Sequence, residues 1–162
     1  MMTASDPVMG GQVRQHSYLL PMRHLITLAL LATPSAAWEY TPGLPCLLNH
    51  EESGVAFELT YDPTQPLYSI TITRANPWPP AQVFSMRFSG QNTIAISTDR
   101  HTLSNDGRSL TVIDRGFGNV LNGLQFNDTV EALLGEAYVA ASLSDAEEPV
   151  AAFRLCQPQP GV

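Results

Sequence analysis

Beyond residue 37 the sequence contains two histidines, His50 and His101, and these are the first residues to consider for chemistry. A zinc site or a histidine-based catalytic triad would need one of them. His101 follows a strand pattern and precedes a hairpin pattern, which favours a surface loop, and His50 is interpreted as a loop residue too. No metal ligand and no catalytic residue is therefore predicted.

Carboxylates are the second candidates, because two of them at a cleft can hydrolyse glycosidic bonds. Fourteen Asp and Glu residues follow Ala37, and most fall at turns or strand ends, where they are expected for local reasons. Their spacing singles out no pair. A hydrolase that uses carboxylates and His101 is kept as an alternative, and it requires Asp99, His101 and Asp114 to share one pocket.

Two loops carry residue types that dominate protein interfaces. Residues 114–118 combine a charge pair with an aromatic residue between two glycines, and residues 77–80 place one Trp among three prolines. The first segment is typical of a strand-to-helix turn, and a buried Trp is an equal alternative for the second. The candidate recognition residues are Trp78, Asp99, Arg100, His101, Arg115 and Phe117.

Motifs for phosphate and cofactor binding are absent from the sequence. Gly116 and Gly118 lack the third glycine of a dinucleotide fingerprint, and GxxxxGKS/T, GxSxG and HExxH do not occur. There is no lysine, which excludes Schiff-base chemistry. The net charge of −7, the pI near 4.9 and the scattered arginines disfavour nucleic-acid binding. No cofactor and no nucleic-acid partner is predicted.

Residues 22–37 have the pattern of a secretory signal peptide. One arginine precedes a short apolar run, which is followed by a proline and small residues up to Ala37. The run is too short for a membrane helix, which needs about 20 apolar residues. Cleavage after Ala37 would leave Trp38 first. Residues 1–21 are interpreted in one of two ways. They form an extended n-region, or the start codon has been assigned too early and Met22 is the first residue; we favour the second interpretation.

Cys46 and Cys156 are the two cysteines of the sequence, with 109 residues between them. In an oxidising compartment such a pair predicts a structural disulfide. The chain-entropy model gives about 4–5 kcal/mol of stabilisation for a loop of this length. The alternative is two free buried cysteines in a cytosolic protein, which would follow if the signal peptide were absent.

Period-two alternation of apolar residues predicts strands in five segments between Val55 and Val112. A hairpin turn is predicted at residues 105–108, where Gly107 supplies a positive φ. Near helical spacing at 119–126 and at 145–155 predicts short helices, the second capped by Asp145. The fold class is mainly β, an antiparallel sandwich or barrel with a short C-terminal helix. It forms one domain over residues 38–156, and 157–162 is a flexible tail.

Several segments resemble a group of small, uncharacterised exported proteins of alphaproteobacteria. They are the signal peptide with residues 38–43, then 60–63, 67–71, 98–104 and 116–121. Some of that group carry the label of an excinuclease ABC component, but this sequence lacks the phosphate loop and helicase motifs that such a component needs. Residues 126–156 are also similar to the invasion-associated locus B proteins, which implies a small exported β-rich domain. Neither resemblance supplies a catalytic residue.

These observations favour an exported, soluble interaction or binding module of the periplasm or cell envelope over an enzyme. The alternatives are the hydrolase described above and a carrier that holds a small ligand inside a barrel, for which an apolar cavity would be diagnostic. An envelope or extracellular protein is the expected partner. No stable membrane span is expected after signal cleavage, and the sequence does not set the oligomeric state.

Overall fold

The computed structural model describes Gly10 and residues 37–157, so most of the predicted signal peptide, N-terminal extension and tail lies outside the described residues. Over residues 37–157, ten strands and two helices form. In chain order they are β1 Glu39–Thr41, β2 Cys46–Glu52, β3 Val55–Asp62, β4 Leu67–Arg74, β5 Phe84–Ser89, β6 Ile94–Thr98, β7 His101–Leu103, β8 Ser109–Asp114, α1 Gly118–Gln125, β9 Thr129–Leu134, β10 Ala137–Ser142 and α2 Glu147–Arg154.

The strands build two antiparallel sheets. One has six strands in the order β1-β2-β3-β4-β8-β7, and the other has four in the order β10-β9-β5-β6. Each sheet ends in two edge strands, so neither closes on itself. The predicted mainly β fold is confirmed, with the sandwich-like arrangement correct and the barrel alternative wrong.

The core lies between the two sheets because alternate residues of each strand point inward. Cross-strand rows such as Leu48–Leu59–Ile70–Val112 run across the six-stranded sheet on its inner face. The four-stranded sheet supplies the opposing layer from β5, β9 and β10. Its buried residues are Phe84, Met86, Phe88, Val130, Ala132, Leu134, Val139 and Ala141.

Five strands were not predicted as strands, namely β1, β2, β7, β9 and β10. β2 has the required alternation in Cys46, Leu48 and His50, all buried, but Glu51 and Glu52 at its end suggested a loop. β1 and β7 have three residues each, which is too short for a periodic pattern to stand out. The predicted turn at Gly107 is confirmed, with φ at +71°.

Both predicted helices are present. α1 carries the chain from β8 in one sheet to β9 in the other, and it buries Val120, Leu121 and Leu124. At Gly123 the helix lies directly against the Phe88 ring, leaving no room for a side chain.

The second helix, α2, begins at Glu147, so the predicted cap at Asp145 is wrong, and Ala146 occupies the N-cap position. Pro149 fits in the first turn because its missing N–H would have no partner there. Two residues after the helix ends, Cys156 forms the predicted disulfide with Cys46, the first residue of β2.

Candidate functional site

A cavity of about 230 Å³ opens where the two sheets meet at one side of the sandwich, and we call it the edge cavity. β6, the edge strand of the four-stranded sheet, forms one wall, and the end of β8 forms the other. The start of α1 closes it. Its lining residues are Ile70, Phe84, Met86, Ile96, Ser97, Thr98, Arg100, Val112, Asp114, Gly116, Phe117, Asn119 and Val120.

The floor of the edge cavity is apolar. Ile70 and Val112 come from the inner face of the six-stranded sheet, and Phe84 and Met86 come from the inner face of the other; all four are buried. Ile96 adds an inward-facing side chain from β6, where burial alternates along the strand. The cavity is thus a part of the core that stays unfilled because β6 has no neighbouring strand to cover it.

The rim of the edge cavity is ionic. The Arg100 guanidinium donates a hydrogen bond to Oδ2 of Asp114. Oδ1 of the same carboxylate accepts the backbone N–H of Arg115 at 2.6 Å and that of Gly116 at 3.4 Å. The Arg115 N–H, followed by the charge of Arg100, lowers the pKa of Asp114 below its ordinary value of 3.8, so this carboxylate is ionised at neutral pH.

At the edge cavity, the structure brings Arg100 together with the segment 114–118, both of which the sequence analysis singled out. Arg100 and Phe117 both line the edge cavity with Asp114, although 14 positions separate Arg100 from Asp114 along the chain. Asp99 and Arg115 are exposed next to the rim without lining the cavity. The recognition role predicted for these residues stays a prediction.

Phe117 and Trp78 are buried, at 3% exposure each. The Phe117 ring stacks on Tyr68, with 5.3 Å between ring centroids, so it forms cavity wall instead of an exposed anchor. The Trp78 indole donates to the Ile72 carbonyl at 3.3 Å, and the Arg74 guanidinium lies 5.0 Å from its ring centre. For Trp78, the buried alternative is the one that the structure shows.

Both histidines lie on the inner face of the six-stranded sheet, so the loop predictions for them are wrong. His101 is in β7 and pairs with Val112 of β8. It is half-buried, and its ring centroid lies 6.3 Å from that of Phe84. It does not line the edge cavity, and neither does Asp99. The hydrolase alternative requires Asp99, His101 and Asp114 to share one pocket, and of these only Asp114 lines the edge cavity.

His50 belongs to a separate cluster at the opposite side of the sandwich. Its ring stacks on Trp38 at 4.7 Å between centroids, and its Nε2 lies 3.4 Å from Oε2 of Glu52. Glu52 also accepts the Ser142 N–H at 2.8 Å, and the Ser142 carbonyl accepts the Trp38 indole N–H at 2.9 Å. The cluster joins β2 and β10, so its role is to tie the two sheets together.

The Glu52 carboxylate is the acidic member of this cluster. Its pKa is lowered below the ordinary value of 4.5, chiefly by the hydrogen bond from the Ser142 N–H and further by His50. The bond with Ser142 therefore favours the ionised carboxylate.

Residues of the edge cavity that sequence reasoning missed include Ile96, Thr98, Asn119 and Val120. Ile96 was identified as a strand residue, but β6 could not be identified from the sequence as an edge strand beside an open space. Thr98 accepts the Arg100 backbone N–H at 3.1 Å and so helps to fix the turn that carries the guanidinium. No signal in the local sequence marks these positions as belonging to one cavity.

Among residues 37–157, no group of three or more His, Cys, Asp and Glu side chains is placed to hold a metal ion. Within the same part of the chain, no helix has the length and apolarity required to span a membrane.

Comparisons with known proteins found one informative likeness. No protein-family model matches the sequence, and no curated protein matches it. Among solved structures, the fold is similar to the crystal structure of invasion associated protein B from Bartonella henselae. The TM-score is 0.50 at 13% identity, over 75% of this chain and 96% of that chain. At this identity the likeness shows the fold alone, and it agrees with the similarity seen in residues 126–156. The resemblance to the alphaproteobacterial group stays a prediction.

Proposed function

We propose that this chain is an exported binding module of the bacterial periplasm or cell envelope, and that its binding site is the edge cavity. The observation that carries the proposal is the cavity itself, an open recess at the edge of the core with an apolar floor and polar groups around its mouth. Ligand sites in proteins have this character, since apolar walls supply affinity and convergent polar groups supply orientation.

Export is supported by two independent features. The signal-peptide pattern ends at Ala37, and the disulfide is of the kind that persists in oxidising compartments. Ala37 is exposed, whereas Trp38 is 4% exposed and packs on His50. Cleavage between them would therefore leave the packed domain whole.

The carrier alternative is kept in part: a small ligand is still proposed, but its site is the edge cavity and not the interior of a barrel. A barrel interior is excluded by the two open sheets, but the diagnostic apolar cavity exists between them. The hydrolase alternative loses its support because Asp99 and His101 do not join Asp114 around the cavity.

Export is tested by the intact mass, without reductant, of the protein recovered from a periplasmic extract of its host. We expect the mass of residues 38–162 minus two hydrogens. A full-length, reduced protein found only in the cytosol would overturn the export proposal.

Binding is tested with a neutral probe, 2-phenylethanol, by NMR titration. We expect saturable shifts at the backbone amides of Ile96, Val112 and Val120. Ile96→Trp, which fills the cavity, should abolish them. Ala95→Trp is the matched control, because Ala95 is exposed on the opposite face of the same strand. If the wild-type protein shows no saturable shift at these amides, the edge cavity is not the binding site.

A further inference from the structure

We propose that the edge cavity binds a free α-amino acid with an apolar side chain, its carboxylate held by Arg100 and its ammonium group by Asp114. This inference rests on the proposed function and names the ligand class. It follows from the chemistry of the rim, from the size of the cavity and from the way the Asp114 carboxylate is held.

The rim presents one positive and one negative group side by side. A ligand with only a carboxylate would reach Arg100 but lie against the charge of Asp114, and a ligand with only an ammonium group would meet the reverse problem. A zwitterion satisfies both charges at once. Arg100 keeps donors free for it, because a guanidinium has five N–H groups and Nη2 alone is bonded to Asp114.

The floor sets the size of the apolar group. A cavity of about 150 Å³ lined by apolar side chains is enough to hold benzene in a protein interior. The edge cavity measures about 230 Å³ including its open, polar mouth, so a phenyl ring or a branched aliphatic chain on the floor leaves space at the mouth for the charged groups of the ligand. Phenylalanine and leucine fit this description.

The acidic member of this exposed ion pair is held in place by the backbone. Oδ1 of Asp114 is fixed by the N–H groups of Arg115 and Gly116, and the Arg100 backbone is fixed by Thr98. Such positioning reduces the ordering cost of binding. Arg87 and Glu131 form a second exposed pair on the outer face of the four-stranded sheet, and they line no part of the edge cavity.

The experiment compares three ligands by isothermal titration calorimetry on the wild-type protein, namely L-phenylalanine, 3-phenylpropionate and 2-phenylethylamine. Phenylalanine carries both charges, and each of the others lacks one. We expect phenylalanine to bind at least about tenfold more tightly than either, as the loss of one charge-assisted hydrogen bond implies.

Variants assign the contacts. Arg100→Gln and Asp114→Asn should each weaken phenylalanine binding by about tenfold. Asp114→Asn should leave 3-phenylpropionate binding equal or stronger, because a like charge is removed. Arg87→Gln is the matched control and should have no effect. A merely structural role for Asp114 would weaken all three ligands alike, and that result would overturn the assignment.

The outcomes separate the two proposals. If 2-phenylethanol binds in the edge cavity but phenylalanine binds no more tightly than 3-phenylpropionate or than 2-phenylethylamine, the amino-acid inference is wrong and the proposed function stands. If none of these compounds binds, both fail. The ligand series uses the wild-type protein, so it remains decisive even if a variant does not fold.

Discussion

Replacing Gly123 by alanine tests the packing of α1 against the four-stranded sheet. In an exposed helix interior this change stabilises a protein by about 1 kcal/mol, because glycine is the more flexible residue. Here a Cβ would lie 2.6 Å from Cε2 of Phe88 and closer still to two other ring carbons. Carbon atoms pack at about 3.5–4.0 Å, so the ring would have to move by about 1 Å.

Phe88 cannot make that movement freely, because it is fully buried in β5. Overpacking costs about 1–3 kcal/mol and sometimes more, and a shift of about 1 Å in a fully buried ring places this site in the upper part of that range, at about 2–3 kcal/mol, above the gain in helix propensity. We therefore expect Gly123→Ala to lower the free energy of unfolding by about 1–2 kcal/mol. The test depends on the sign of the change in the free energy of unfolding, since helix propensity alone predicts an increase.

Urea denaturation followed by circular dichroism measures the effect. Gly118→Ala is the control, because Gly118 is in the same helix and a Cβ there meets no atom within 4 Å. We expect this variant to match the wild type or to be slightly more stable. Adding Phe88→Leu to Gly123→Ala should give a favourable coupling of about 0.5 kcal/mol or more. A Gly123→Ala protein as stable as the wild type would refute the packing argument.

Three further outcomes are expected. Replacing Cys46 and Cys156 together by alanine should lower the free energy of unfolding by about 4 kcal/mol, measured by urea denaturation, and an unchanged value would contradict the loop-closure argument. Because the pKa of Glu52 is lower in the folded state than in the unfolded chain, its contribution to stability is present above about pH 4.5 and is lost as the pH falls through the folded-state pKa. The acid unfolding profile of Glu52→Gln should therefore be shallower than that of the wild type in this range, while the exposed Glu51→Gln should match the wild type. Trp78→Ala should lower the free energy of unfolding by about 3–5 kcal/mol in the same urea assay, and a loss below about 1 kcal/mol would contradict its burial.

Much of the fold could be predicted because a strand buried on one face repeats every two residues. β3 and β4 show this clearly, and both were predicted. The disulfide could be predicted because two cysteines allow one pairing. The existence of the longer strands between Val55 and Val112 was thus accessible from local pattern. The three-residue strands β1 and β7 were missed, because they are defined by their pairing partners and not by a pattern of their own.

The edge cavity could not be predicted for a different reason. β6 and β8 belong to different sheets, and the space between them exists only because β6 is the last strand of its sheet. Strand order is a property of the whole chain, so no local pattern reveals it. The same reason explains His50. Its inward direction follows from its register with Phe57, which became evident only once β2 was paired with β3.

The position of the disulfide has a mechanical consequence. If tension is applied between Trp38 and Gln157, the force passes from Cys46 to Cys156 through a single covalent bond and does not load the strands between them. Between these two points, only residues 38–45, which include β1, and Gln157 can be drawn out, a length of about 30 Å. Without the bond, the 110 positions from one cysteine to the other could extend by more than about 300 Å as the sheets came apart. Under tension the domain therefore behaves as a short link: β1 can be drawn off the edge of the six-stranded sheet, while the strands between the two cysteines and the edge cavity stay intact.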